Sequence, residues 1–182
     1  MSEVGATPLF VDTGPLYARL DRDDENHNKA TSIFAAIAAG WIHTCGITTE
    51  GVTYCWGWGE DGQVGNGGTT NHSTPQPVAG SHRFASIDAG QHHTCGITIE
   101  GVAYCWGWGD DGQLGNGGTA NHSTPQPVAG SDRFASIGAG RLHTCGITIE
   151  GVAYCWGRGD RGQLGNGGTG SHSTPQPVAK PN

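Results

Sequence analysis

Residues 34–83 have the sequence FAAIAAGWIHTCGITTEGVTYCWGWGEDGQVGNGGTTNHSTPQPVAGSHR, and this 50-residue unit is repeated along the rest of the chain. The second unit runs from Phe84 to Arg133, and the third runs from Phe134 to the last residue. The second and third units differ at ten of 49 aligned positions, with no insertion. Self-similarity at a fixed period indicates a repeat architecture, and near-identity indicates recent duplication.

Each unit is predicted to consist of short strands joined by turns. HTCGIT and GVTYCWG are rich in β-branched and aromatic residues and are bounded by glycine, as strands are. Between them, Thr49-Glu50-Gly51 predicts a tight hairpin loop in which Gly51 takes a positive φ, like Gly101 and Gly151 in the later units. GEDGQVGNGG has turn chemistry. TPQPV is expected to be extended because proline restricts the residue before it.

A period of this length with several strands per unit suits the blade of a β-propeller. The pattern G-x-x-H-T-C-x-I-T, G-x-x-Y-C-W-G-x-G, G-Q-L-G-N-G and P-x-P-V resembles the bacterial form of the regulator-of-chromosome-condensation repeat, with Val64 in place of the leucine in the first unit. The resemblance covers residues 34–182 and implies a propeller, which has seven blades in most members. We therefore predict a mainly β chain: a three-repeat partial propeller preceded by a short β-α segment. Its predicted domains are residues 1–33, 34–83, 84–133 and 134–182.

Three blades do not close a ring with ordinary sheet twist. An open arc exposes a strand edge and one blade face, and both invite association with another chain. Two explanations stay open at this stage. The arcs self-associate to complete a propeller, or the chain is a fragment of something longer.

Residues 1–33 differ in kind from the repeats. Leu9–Val11 predicts a short buried strand, and helical apolar spacing follows, with an acidic break at residues 21–26. The residues with that spacing are Leu16, Leu20, Ala30, Ile33 and Phe34. The segment resembles the start of toxin-type PIN-domain ribonucleases, in which Asp12 would match the first metal-binding aspartate. The resemblance implies metal-dependent RNA cleavage that Asp12→Ala abolishes.

The PIN resemblance stops too early to supply a nuclease site. The family's other acidic residues should lie well downstream, where this chain is already repeat sequence. Asp21, Asp23 and Asp24 do not stand at ligand positions. One aspartate cannot hold Mg²⁺ in an octahedron of oxygen ligands. We therefore predict a truncated PIN start fused to a repeat array, with no catalytic residue, no bound metal and no cofactor.

Composition argues against several partners. The formal net charge is −7, and Lys29 and Lys180 are the only lysines. Nucleic acid and anionic membranes both require a basic surface, so neither is expected as a partner. The sequence has no apolar run approaching the roughly 20 residues of a membrane helix. The N-terminus does not read as a secretory signal, so we expect a cytoplasmic protein, although the repeats look like those of exported proteins.

The six cysteines occur in register, as Cys45/Cys55, Cys95/Cys105 and Cys145/Cys155. In the predicted hairpin the two members of a pair face each other, with Cα atoms about 4.5–5.5 Å apart, which is within disulfide range. A bridge closing so short a loop contributes roughly 2–3 kcal/mol. The cytosol keeps thiols reduced, so disulfides and free thiols both stay open. The C-x₉-C spacing lacks the short zinc knuckle, so a zinc site is not predicted.

Other residues recur once per unit and are interpreted as framework. A structural hydrogen bond is the expected role of the recurring histidines, and packing between blades is that of the recurring tryptophans. The Gly-Gln-Leu-Gly turns open no helix, so they are not predicted to bind phosphate. The framework residues are His43, His93, His143, His72, His122, His172, Trp56, Trp106 and Trp156.

Positions that vary between units are free to recognise a partner. They fall in loops next to strand ends, so they are expected to share one rim of the arc, and Trp and Arg are typical of binding hot spots. The set is Trp41, Gln91, Arg141, Trp58, Trp108, Arg158, Asp61, Asp111 and Arg161, joined by Ile42, His92 and Leu142. The functional hypothesis is a non-enzymatic scaffold that contacts proteins through these loops. The alternatives are neutral drift at these positions, a degenerate PIN-type ribonuclease, and a rearranged gene product without a selected role.

Overall fold

The computed structural model describes residues 34–181, which form three four-stranded antiparallel sheets, each built within one repeat. The first sheet contains β1 (Phe34–Ala39), β2 (His43–Thr48), β3 (Thr53–Gly57) and β4 (His72–Pro77). The second contains β5 (Phe84–Ala89), β6 (His93–Thr98), β7 (Ala103–Gly107) and β8 (His122–Pro127). The third contains β9 (Phe134–Ala139), β10 (His143–Thr148), β11 (Ala153–Gly157) and β12 (His172–Pro177). Within this part of the chain every element is a strand.

Strands that are consecutive in sequence are neighbours in each sheet, so the chain runs up and down across every blade. The loops therefore divide between two ends of the sheets. In the first repeat, residues 40–42 and 58–71 lie at one end, called the upper end here. Residues 49–52 and 78–83 lie at the lower end.

The hairpin between β2 and β3 has the register predicted from the sequence. Cys45 lies opposite Cys55, and the amide of Thr48 donates to the carbonyl of Val52 at 2.8 Å. Gly51 has a φ of +79°, and the equivalent Gly101 and Gly151 both have +82°. These φ values confirm the hairpin prediction in all three repeats. Glycine stands at this position because the turn needs the left-handed conformation, which glycine adopts without strain.

The hydrophobic core lies between the sheets. One cluster joins Cys45, Ile47 and Val64 of the first repeat to Phe84 and Trp106 of the second, among other residues. A second cluster makes the same connection between the second and third repeats. The first strands β1, β5 and β9 are neighbours, so they form the inner edge of the arc. A partial β-propeller of three blades results, as predicted.

The first strand of the first blade differs from the sequence prediction. The helical spacing predicted to include Phe34 is wrong at that residue, because Phe34 begins β1 and pairs with Thr48. The predicted β-α segment and Asp12 lie outside the described residues. Across residues 34–181 the structure contains no helix that is long and apolar enough to span a membrane.

Candidate functional site

The variable residues lie at the upper end of the blades. Since β1, β5 and β9 end there and the third strands end there as well, both sets of variable loops emerge on the same side. We call this surface the rim. It comprises Trp41, Gln91, Arg141, Trp58, Trp108, Arg158, Asp61, Asp111 and Arg161, with Ile42, His92 and Leu142.

An open groove of about 580 Å³ lies at the inner edge of the rim. Its walls are the strand ends 39–41, 89–91 and 139–141, so it brings Trp41, Gln91 and Arg141 around one opening. Trp41 is 66% exposed. The blades approach so closely that a Cβ on Gly40 would lie 2.6 Å from the carbonyl oxygen of Gly90. Glycine is therefore required there, and the variable side chain follows it directly.

His92 connects the rim residues of the first two repeats. Its Nδ1 lies 3.1 Å from Oδ2 of Asp61. Its ring meets the indole of Trp41 edge-on, with centroids 5.6 Å apart, and lies 6.2 Å from the ring of Trp108. An aromatic and acidic patch results, in which the side chains position one another across the boundary between blades.

The third repeat gives the rim a different charge. Arg141, Arg158 and Arg161 line a common pocket with Asp160, whose Oδ2 accepts a hydrogen bond of 2.6 Å from Nη2 of Arg158. That hydrogen bond is the main reason why the pKa of Asp160 is lowered. The corresponding loops of the first two repeats carry Glu60-Asp61 and Asp110-Asp111. The rim is thus acidic on two blades and rich in arginine on the third.

Two of the recurring histidines, His43 and His93, make the structural hydrogen bond expected from the sequence, and in both cases it joins neighbouring blades. Nε2 of His43 lies 2.8 Å from Oγ1 of Thr94, and that hydroxyl donates to the carbonyl of Gln63 at 3.0 Å. The hydroxyl has one proton, so it accepts from His43, which places a proton on Nε2. His93 and Thr144 repeat the arrangement at 2.9 Å, with Gln113 as the acceptor. In the other histidine set, His72 bonds to Asn66 and Thr70 within its own blade.

Burial holds these histidines in the neutral form. Nδ1 of His43 and of His93 is buried without a hydrogen-bond partner. Desolvation lowers the pKa of His43 to about 4 and that of His93 to about 3, with charge repulsion from nearby histidines as a smaller cause. A protonated Nδ1 would have no acceptor in either place. These histidines are therefore fixed structural groups.

The recurring tryptophans occupy the same boundaries. Trp106 and Trp156 are fully buried, and their indole nitrogens donate to the carbonyls of Gln63 and Gln113, each at 2.9 Å. Packing between blades is confirmed for these two. Trp56 is only partly buried, because no described repeat precedes its own. The threonine and glutamine partners were not predicted from the sequence, although both residues recur in every unit.

The structure joins Cys45 to Cys55, Cys95 to Cys105 and Cys145 to Cys155 as disulfides, with Cα atoms 4.1 Å apart in each pair. Within residues 34–181 there is no group of three or more His, Cys, Asp or Glu side chains placed to hold a metal ion. The oxidation state of the cysteines in the cell stays a prediction, and so does the recognition role of the rim.

Comparisons with known proteins identify the repeat. A sequence model described as Regulator of chromosome condensation (RCC1) repeat matches residues 50–97, 100–147 and 150–182, and a second model of that description matches 34–63, 84–113 and 134–163. The Ultraviolet-B receptor UVR8 of Arabidopsis thaliana is 39% identical over 49 residues, which are 27% of this chain and 11% of UVR8.

Solved structures show the same fold. Yeast RCC1 (Prp20), bound to Kap60, has a TM-score of 0.72 at 24% identity, covering 81% of this chain and 37% of that one. Prp20p of Saccharomyces cerevisiae, in a structure reported with its binding properties to Gsp1p and histones, gives 0.74 at 23% identity, covering 81% and 39%.

The chain therefore spans less than two fifths of the length of these Prp20 structures. Human WBSCR16 gives a TM-score of 0.52 at 20% identity, covering 80% of this chain and 52% of that one. The family model covers well over half of the chain, in three consecutive matches separated by two residues each. The protein is a member of the regulator of chromosome condensation (RCC1) repeat family.

Proposed function

We propose that this chain is a non-enzymatic scaffold that binds a protein partner through the rim. One observation carries the proposal. The repeats are nearly identical, yet their differences include Trp, Arg, His and Asp positions gathered at the upper end, and these are not the His, Thr, Trp and Gln residues that recur at each boundary between blades. Exposed Trp and Arg side chains on a rigid support are typical of binding hot spots.

The charges of the rim define the partner's chemistry. Carboxylates dominate the first and second blades, guanidinium groups dominate the third, and Trp41 and Trp58 add exposed apolar area. A complementary protein surface would place basic residues opposite the first two blades and acidic residues opposite Arg141, Arg158 and Arg161. A net charge of −7 supports a protein partner over nucleic acid or an anionic membrane.

The relatives support a protein partner as a class. The Prp20 structures are described with Kap60 and with Gsp1p and histones, all of which are proteins. Those partners belong to Prp20, and the fold similarity at this level of identity does not transfer them. The support lies in the shared blade architecture, which presents loops at the ends of rigid sheets.

The test is affinity capture with three immobilised forms of the full chain. The first is the natural chain, and the second carries the rim substitutions Trp58→Ala, Trp108→Ala and Arg158→Ala. The control carries Ile99→Ala, Glu100→Ala and Ile149→Ala, all at exposed positions of the lower end. We expect all three forms to fold, with the same circular dichroism spectrum and Tm.

We expect the natural chain and the control to retain the same protein partner and the rim variant to lose it. Equal capture by the rim variant would refute the assignment of the rim. Loss of the folded spectrum in the rim variant would also refute it, because those side chains would then belong to the framework.

A further inference from the structure

Each repeat has a face that can pack against a following repeat. Within residues 34–181 this face is buried in the first and second repeats and exposed in the third. Ile47 and Ile97 are 4% and 3% exposed, whereas the equivalent Ile147 is 47% exposed. Gln63 and Gln113 are fully buried, but Gln163 is not. We call the surface around Ile147, His143, Gln163 and Gly165 the trailing face.

The complementary face of the first repeat carries the residues that fit this surface. Thr94 and Trp106 of the second repeat, and Thr144 and Trp156 of the third, are completely buried against the preceding blade. Their equivalents in the first repeat, Thr44 and Trp56, are both partly exposed. We call the surface around Thr44 and Trp56 the leading face.

The two faces match residue for residue. At the first boundary a histidine, a glutamine and a glycine of one blade contact Thr94 and Trp106 of the next. The trailing face has the equivalents of that histidine, glutamine and glycine, and the leading face has the equivalents of Thr94 and Trp106. At the two internal boundaries a Cβ on Gly65 or Gly115 would lie 2.4 or 2.5 Å from the indole nitrogen of the next blade. On Gly165 it would meet only Val178, at 3.2 Å, so space for an indole is available there.

We propose that the trailing face of one chain binds the leading face of a second copy, head to tail, and reproduces the interface between consecutive repeats. Nε2 of His143 then donates to Oγ1 of Thr44, and that hydroxyl and the indole of Trp56 donate to the carbonyl of Gln163. The interface is heterologous, so the assembly either closes into a ring or extends. The contacts that carry this proposal come from framework residues, so it does not rest on the proposed function.

Sedimentation equilibrium of the full 182-residue chain over a range of concentrations tests the proposal. We expect an average mass above the 18.8 kDa of one chain that rises with concentration. Ile147→Lys places a charge in the apolar interface and should weaken association by about tenfold or more. Ile149→Lys is the matched control, because Ile149 is 64% exposed and its equivalent Ile99, which has a following blade, is still 65% exposed.

Mixing variants shows which faces meet. Thr44→Arg obstructs the leading face and leaves the trailing face intact, and I147K has the opposite defect. Each variant alone should remain at the mass of one chain, and an equimolar mixture should form a complex of two chains and no larger species.

Three results would overturn the proposal. One is a natural chain that stays monomeric at every concentration. The others are association that survives I147K and a mixture that stays monomeric although both variants are folded.

Discussion

The indole nitrogen of Trp106 donates a 2.9 Å hydrogen bond to the backbone carbonyl of Gln63, across the boundary between the first and second blades. The hydroxyl of Thr94 donates to the same carbonyl at 3.0 Å. One peptide oxygen therefore receives two side-chain donors from the next repeat. Because Trp156, Thr144 and Gln113 repeat the arrangement, the same set of hydrogen bonds is found at both boundaries in the described residues.

Gly65→Ala should destabilise the protein at the close contact between Gly65 and the indole of Trp106. The added Cβ would lie 2.4 Å from Nε1 of Trp106, and Gly65 has a φ of +75°. A left-handed alanine costs about 1–2 kcal/mol, and forced repacking adds about 1–3 kcal/mol. The control is Gly67→Ala, where φ is +92° but nothing lies within 4 Å, so only the backbone strain applies. Urea denaturation measures the free energy of unfolding of both variants. Equal losses in the two would show that the contact between Gly65 and Trp106 is not tight.

Acid should destabilise the blades through their buried histidines. The folded pKa values of His43 and His93, about 4 and about 3, lie below the ordinary 6.5. The unfolded chain therefore binds protons more readily, so stability is full above pH 6.5 and falls as the pH drops toward 4 and then 3. Between pH 6.5 and pH 5 each histidine should account for about 2 kcal/mol.

His93→Gln isolates that effect. Glutamine keeps an N–H donor for Thr144 but does not titrate, so between pH 7 and pH 5 the variant should lose about 2 kcal/mol less stability than the natural chain. Desolvation raises the pKa of Asp88, which opposes the histidine effect equally in both proteins. Parallel pH profiles in urea denaturation would show that His93 does not carry the acid sensitivity.

The three disulfides should differ in their reactivity toward reductant. Cys45, Cys55, Cys95 and Cys105 are fully buried, whereas Cys145 is partly exposed on the trailing face. Because exchange requires a thiolate to reach a sulfur, Cys145–Cys155 should be reduced first under native conditions. Alkylation and mass spectrometry of the T44R variant, in which this face stays uncovered, measure the order. Loss of the Cys145–Cys155 disulfide should lower the free energy of unfolding by about 2–3 kcal/mol. Simultaneous reduction of all three pairs would contradict the expected order.

The sequence was sufficient for features that depend on local chemistry or on the repeat. Gly51 and its equivalents identify the hairpin, the hairpin register places Cys45 opposite Cys55, and the three repeats predict an open arc with one exposed blade face. The common placement of the rim loops follows from strand alternation. Each of these features involves residues that are close in sequence or repeat at the 50-residue period.

Features that depend on packing between blades were harder to predict from the sequence. The strand FAAIAA lacks the alternation of polar and apolar residues that indicates a half-buried strand, because β1 lies at the crowded inner edge of the arc. His43 and Thr94 are 51 residues apart, and the contact of His92 with Asp61 and Trp41 depends on the spacing of two sheets. Recurrence marked His43 and Thr94 as repeated positions, and variation between units marked His92, Asp61 and Trp41 as rim residues, but neither indicated their partners.

Site-specific photo-crosslinking in the source cells addresses the recognition role of the rim. A benzophenone amino acid would replace Gln91 in the groove at the inner edge of the rim, and in a second protein Glu100 at the exposed lower end. We expect a crosslinked protein partner from position 91 and none from position 100. Crosslinking to the same partner from position 100 alone, or equally from both positions, would contradict recognition through the rim.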